Sequence, residues 1–177
     1  LEGQADCAGL LNFNYLSGES ITDLNYGRPL FVRLPDARLT LANFMRTHLL
    51  SSRATVKIGL DILTKEEGLT IEKLYAHGGF FKTPEVGQIM LSAATGTPVS
   101  VMETAGEGGP YGMALLAAYM IWKEKHEKLP DYLDNKVFSH AKSVSLMASD
   151  TDIEGFNRFF ERYKKALPLE RLATEVL

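Results

Sequence analysis

The tightest constraint in this sequence is a unit that occurs twice in succession: a short strand, a glycine turn and a helix. Ile71, Lys73 and Tyr75 alternate with Glu72, Leu74 and Ala76, and His77-Gly78-Gly79 breaks that run. Thr83-Pro84-Glu85 then carries the signs of a helix start: a hydroxyl cap, proline at the first position and an early acid. Gly96 should end that helix at Thr95, and Pro98 precedes a second strand over Val99 to Met102. A second turn, Ala105-Gly106-Glu107-Gly108-Gly109-Pro110, leads into an apolar helix from about Tyr111 to Trp122. A strand–helix–strand unit of this length favours a right-handed crossover between parallel neighbours. The middle of the chain is therefore expected to be α/β, with parallel strands near Leu74 and Val101 joined by the Thr83–Thr95 helix.

The flanks are read from periodicity and punctuation. Leu10 to Tyr15 and Leu30 to Leu34 read as strands, separated by the turn Ser17-Gly18-Glu19-Ser20. Leu41, Met45, Leu49, Val56, Leu60 and Leu63 recur at helical spacing, which predicts one long helix with that face buried and a stop at Gly68. Gly112 and Ala114 are small enough to let the next helix pack closely on the sheet. From Lys123 onward the chain reads as polar helical segments, chiefly Asp131 to Phe138 and Ile153 to Leu167. Phe156, Phe159, Phe160 and Tyr163 share one face of the latter, a pattern of core packing more than of base stacking. Residues 1–122 are expected to form the core of one domain, and 123–177 its helical C-terminal extension.

Composition removes several function classes. Nineteen basic against twenty-two acidic side chains leave a formal charge of −3, unlike a dedicated nucleic-acid binder. The longest apolar run, Met113 to Trp122, is far shorter than the roughly 20 residues that span a bilayer. The single cysteine, Cys7, supplies neither an internal disulfide nor a zinc cluster, so a reducing cytoplasm is the expected compartment. No G-x-x-x-x-G-K-[ST] and no G-x-G-x-x-G is present, which excludes a Walker loop and counts against a dinucleotide fingerprint.

Two places remain for chemistry. Glycines at Gly78-Gly79, between strand and helix, allow a ligand to approach backbone amides closely, and equally suit a tight turn that only relieves steric conflict. Glu107, in the second turn, can orient a ligand or simply cap the following helix. His48, within the long helix, reads as a half-buried polar residue. His77 is better placed at a strand end but has no partner in its own segment, and His126 and His140 read as solvated. Cys7 reads as a small apolar residue.

Taken together, these segments resemble a known family. Ala76-His77-Gly78-Gly79-Phe80-Phe81-Lys82-Thr83-Pro84-Glu85-Val86-Gly87-Gln88 resembles the adenosine-binding stretch of the FGGY carbohydrate kinases, and Val99 to Ala114 resembles the strand and turn that follow it. The resemblance runs from about Leu10 to Met120 and looks closest to the xylulokinase-like pentulose kinases, whose tail is similar to Asp131 to Phe138. It implies a ribonuclease-H-like (actin-like ATPase) α/β domain with a mixed sheet flanked by helices. It also implies ATP and Mg2+ as cofactors and phosphoryl transfer to a pentulose or related, xylulose-like sugar. By the same resemblance Gly78, Gly79, Phe80, Lys82, Thr83 and Glu107 face the nucleotide. Thr83 stands where the family has asparagine, His77 where it often has aspartate, and Leu50 where it commonly has glutamate. The family's catalytic aspartate and triphosphate loops precede the matched region, so no residue here is expected to be catalytic or to bind metal. A chain that starts Leu1-Glu2 fits that expectation: a C-terminal half, inactive alone, that meets its sugar through a missing N-terminal domain. Neither nucleic acid nor membrane is expected as a partner, and a homodimer is allowed. The rival readings are a nucleotide-dependent scaffold on the same actin-like fold, and a structural α/β module without a ligand.

Overall fold

A computed structural model describes residues 2–103 and 108–177. The chain opens with an antiparallel pair, β1 (Leu10–Phe13) and β2 (Leu30–Arg33), in the register Leu10↔Arg33 to Phe13↔Leu30. All four residues of β1 are buried, because α1 (Leu41–Asp61) and α5 (Asp150–Val176) both pack against it. A second sheet has the order β3-β4-β5, with β3 at Leu74–Ala76, β4 at Val99–Met102 and β5 at Ser143–Leu146. β3 and β4 are parallel (Leu74↔Val99, Ala76↔Val101), as the spacing required, and β5 adds antiparallel to β4. The crossover helix α2 (Val86–Thr95) ends at Gly96, whose φ of +67° is a left-handed stop.

α2 ties the two parts together. Met90, Ala93 and Ala94 are buried in one apolar cluster with β1, α1 and α5. Its Gln88 Nε2 donates to the Val99 and Val144 carbonyls at 2.9 and 2.8 Å, gripping the three-stranded sheet. The centre of the cluster is aromatic: the Phe13 and Tyr163 rings lie 4.8 Å apart, and the buried Tyr163 hydroxyl donates to the Tyr15 hydroxyl at 2.6 Å. Phe156, Phe159, Phe160 and Tyr163 are core residues, as their spacing indicated.

Four expectations need correction. The apolar face of α1 is not the buried one: Leu41, Met45, Val56 and Leu63 are exposed, while Asn43, Arg46, Thr47, Leu50, Ser51 and Ala54 are buried. The inward polar groups find partners that periodicity cannot reveal. Asn43 accepts from the Gln4 N–H and donates to the Arg38 carbonyl, Arg46 pairs with Asp152 of α5, and Ser51 donates to the Asn12 carbonyl. Second, the strand expected from Ile71 shrinks to Leu74–Ala76. Third, β5 lies in the C-terminal stretch that reads as helical; its exposed, Ser-rich alternation offers little apolar signal. The rest of that stretch is helical: α4 (Leu129–Tyr132), continued by a π-type turn over Leu133–Val137, and α5, which continues through Pro168. Fourth, α3 (Gly108–Trp122) has no buried residue, and a Cβ added at Gly112 would meet nothing within 4 Å, so Gly112 and Ala114 do not mediate close packing. Among the described residues, no helix is long and apolar enough to cross a membrane.

Candidate functional site

β3 delivers the chain to His77 and then to Gly78, whose φ of +103° with ψ of 177° is a conformation that side chains resist. A 3-10 turn follows over Gly79–Lys82, in which the Phe81 N–H donates to the Gly78 carbonyl at 3.0 Å. Gly79 is exposed, and a Cβ built there would meet no atom of the described residues within 4 Å. Packing against the described residues therefore does not explain the glycine at this position.

The apolar side of the turn is gripped from two directions. The Arg53 guanidinium of α1 lies 4.1 Å from the Phe80 ring centroid, and burial pulls its pKa below the usual range. On the α2 side Gly87 admits the turn: a Cβ there would fall 2.8 Å from both the Phe80 carbonyl oxygen and Phe81 Cδ1. Phe80 and Phe81 stand edge to face, 5.4 Å apart. The glycine pair thus presents backbone outward while the two rings anchor it inward.

This packing displaces the expected helix start. Thr83, Pro84 and Glu85 are exposed loop residues, and α2 begins at Val86 with Glu85 at φ +65° and no side-chain cap. The 3-10 turn docks its rings on the first turn of α2, so the chain between Lys82 and Val86 loops outward instead of continuing the helix. Thr83 is consequently no cap, and Pro84 is not at the first helical position.

On the other flank His77 meets the start of α3. A Cβ at Gly108 would sit 2.2 Å from His77 Nδ1, so His77 in this orientation requires glycine there. Tyr75, His77 and Met102 fall on one face of the sheet by register, and with Gly108, Tyr111 and Phe138 they line a mainly apolar cavity of about 190 Å³. An adjoining cleft of about 460 Å³ shares Tyr75, Met102 and Phe138. Both include Met102, the last residue of β4, and so lie against the carboxyl-end half of the parallel strands, the end at which open α/β sheets bind ligands. Sequence reasoning did not single out Tyr75, Met102, Tyr111 and Phe138 as a group; they meet only where β3, β4, α3 and the segment after α4 converge. Phe80, Lys82 and Thr83 do not line these cavities but extend the glycine turn beside them. Glu107 falls outside the described residues.

Cys7 and His48 have structural surroundings. Burial pushes the Cys7 thiol up to about 11, which leaves it protonated and inert at neutral pH. His48 is half-buried, with Nδ1 3.1 Å from both Asn12 Nδ2 and Asn14 Oδ1. His126 and His140 are exposed. Among the described residues, no three His, Cys, Asp or Glu side chains are grouped to hold a metal ion.

The arrangement is a mixed sheet with a glycine turn at the end of a parallel strand and helices around it, an α/β domain. Residues 1–121 match the model of the FGGY family of carbohydrate kinases, C-terminal domain, and the chain belongs to that family. No curated protein sequence matches it significantly. Among solved structures it is similar to a ligand-bound xylulose kinase from Lactobacillus acidophilus, at TM-score 0.73 and 16% identity over 94% of this chain and 32% of that one. It is also similar to a gluconate kinase from Lactobacillus acidophilus, at TM-score 0.70 and 16% identity over 94% and 32% of the two chains. A third is the Plasmodium falciparum glycerol kinase with ADP, at TM-score 0.65 and 17% identity over 93% and 31%. The fold is the ribonuclease-H-like, actin-like ATPase fold of these kinases, and the chain spans about a third of their length.

Proposed function

We propose that this chain is the adenosine-binding part of an ATP-dependent kinase acting on a pentulose or related, xylulose-like sugar. The observation that carries the reading is Gly79: an exposed glycine, in a chain of the FGGY family, whose missing side chain leaves open space among the described residues instead of relieving a contact. That space suits the flat face of a base, and Gly78 and Gly79 would receive it against their backbone. Phe80 would anchor the turn, with Lys82, Thr83 and Glu107 at the rim. ATP, with Mg2+, supplies the phosphoryl group when bound. Phosphoryl transfer rests mainly on positioning and charge stabilisation. The contribution of this chain is to hold the nucleoside and to form a wall that excludes water when the sugar-binding half closes. No residue of this chain is assigned as catalytic base or metal ligand. In this reading residues 1–122 and the C-terminal extension 123–177 form one domain, the extension supplying Phe156, Phe159, Phe160 and Tyr163 to its core, and a cytoplasmic setting without nucleic acid or membrane belongs to the same reading. A homodimer is the assembly to look for by light scattering.

The test is a titration of the 15N-labelled chain with ADP. Saturable shifts centred on Gly78 to Thr83 support the proposal. Shifts confined to the cavity residues Tyr75, Tyr111 and Phe138, or none at all, overturn the placement. The sugar is tested separately, by comparing kcat/KM for xylulose, gluconate and glycerol in an enzyme that includes the sugar-binding half.

A further inference from the structure

Arg53 is out of keeping with its place. It sits on the inner half of a long helix, partly buried, and its pKa is lowered by desolvation alone. Among the described residues no carboxylate pairs with it, and its one hydrogen bond is a long one, Nε donating to Ser52 Oγ at 3.3 Å. A cation removed from water without a counter-ion is costly, and an aliphatic side chain would fill the same space without that cost. What the guanidinium adds is the contact it does make: its Cζ lies over the Phe80 ring, 4.1 Å from the centroid. Arginine stacks on an aromatic face more effectively than lysine because its charge is planar and weakly hydrated.

Phe80 is the residue directly after Gly79, and it has little freedom. Its ring is half-buried against the core cluster, and α2 packs close to it at Gly87, where a Cβ would come within 3.0 Å of Phe80 Cδ1. The turn is clamped between α1 and α2, with Arg53 as the α1 jaw. We infer that Arg53 is a positioning residue: by stacking on Phe80 it fixes the Gly78–Lys82 turn, and so sets the affinity of that turn for an adenosine nucleotide. The nucleotide part of this inference rests on the reading of the turn given above; the fixing of the turn does not.

The experiment uses the 177-residue chain with Arg53→Leu, Arg53→Lys, Phe80→Leu and the double Arg53→Leu/Phe80→Leu variants. Native-state hydrogen exchange is followed at the Phe81 amide, which donates to the Gly78 carbonyl within the turn. Arg53→Leu should accelerate that exchange about two- to thirtyfold, the range a cation–π contact spans between exposed and desolvated sites. Amides of α5 should be unaffected. Arg53→Lys should restore part of the protection, and Arg53→Leu should add nothing to Phe80→Leu, because both remove one contact. ADP affinity should fall in parallel with the lost protection. Unchanged exchange at Phe81 in a folded Arg53→Leu chain overturns the inference whatever ADP does. Faster exchange with unchanged ADP affinity overturns its nucleotide part while leaving Gly79 as the proposed contact. Absence of ADP shifts in the wild-type chain overturns the adenosine reading itself, and the exchange data still decide whether Arg53 fixes the turn.

Discussion

Replacing Gly79 with valine separates stability from binding at one atom. Gly79 is exposed, lies outside the positive-φ region and has nothing among the described residues within 4 Å of its missing Cβ. The new Cβ therefore meets none of the described residues. A glycine replaced where the backbone is compatible gains about 0.4–1 kcal/mol from the reduced entropy of the unfolded state. For a chain of this size that corresponds to a melting temperature raised by roughly 1–4 °C, at about 2–4 °C per kcal/mol. The same side chain would occupy the space proposed for the base, so ADP affinity should fall at least about tenfold, which is 1.4 kcal/mol. In an enzyme that includes the sugar-binding half, the ATP KM should rise more than the sugar KM. Thr83→Ala is the milder comparison, since one neutral hydrogen bond is worth about 0.5–1.5 kcal/mol. Differential scanning fluorimetry and ADP titration read the two quantities on the same samples. A stable Gly79→Val chain with wild-type ADP affinity removes Gly79 from the site. A melting temperature lowered by several degrees refutes the argument that the space is empty.

Gly87→Ala is the steric opposite: its Cβ would press on a backbone oxygen at 2.8 Å, so overpacking of about 1–3 kcal/mol should exceed a helix-propensity gain of at most about 1 kcal/mol, seen as a lower melting temperature. Glu170 is fully buried, its Oε1 accepts from the Arg28 N–H at 2.7 Å, and its Oε2 has no hydrogen-bond partner among the described residues. Burial raises its pKa despite that hydrogen bond and the nearby Arg28 charge, so the folded state holds the proton more tightly than the unfolded one. Its contribution to stability is then greatest below the ordinary carboxylate pKa and declines as pH rises from there through the raised value. Urea midpoints across pH 4 to 7 should show wild type losing stability relative to Glu170→Gln as pH rises over that window; a constant difference would count against the raised pKa. Finally, the 177-residue chain alone should show no sugar-dependent ATP consumption, and a coupled ADP-release assay that detects turnover would contradict the division of labour proposed here.

What the sequence determined by itself is the central α/β unit. Local chemistry sufficed there: Gly96 can take φ +67° without strain, Pro98 prevents the helix from continuing, and two short strands separated by one helix pair in parallel with Leu74 opposite Val99. The aromatic face from Phe156 to Tyr163 was equally legible, because four large rings on one side of a helix have few alternatives to a core. The glycine pair was visible as a motif, but its conformation was not.

Tertiary structure decided the features whose partners are distant in sequence. α1 buries Asn43, Arg46 and Ser51 and exposes Leu41 and Met45, since Gln4, Asp152 and Asn12 supply hydrogen bonds that no periodicity contains. α2 begins at Val86 and not at the well-formed capping sequence Thr83-Pro84-Glu85, because docking Phe80 and Phe81 against Gly87 outweighs a local cap. The cavity formed by Tyr75, Met102, Tyr111 and Phe138 exists only once two strands, a helix and the segment after α4 converge. Helix caps, glycine stops and strand alternation act over a few residues and are written locally. Burial of a polar group or closure of a cavity depends on atoms brought together by the whole chain, and there the fold chooses among what the local signals allow.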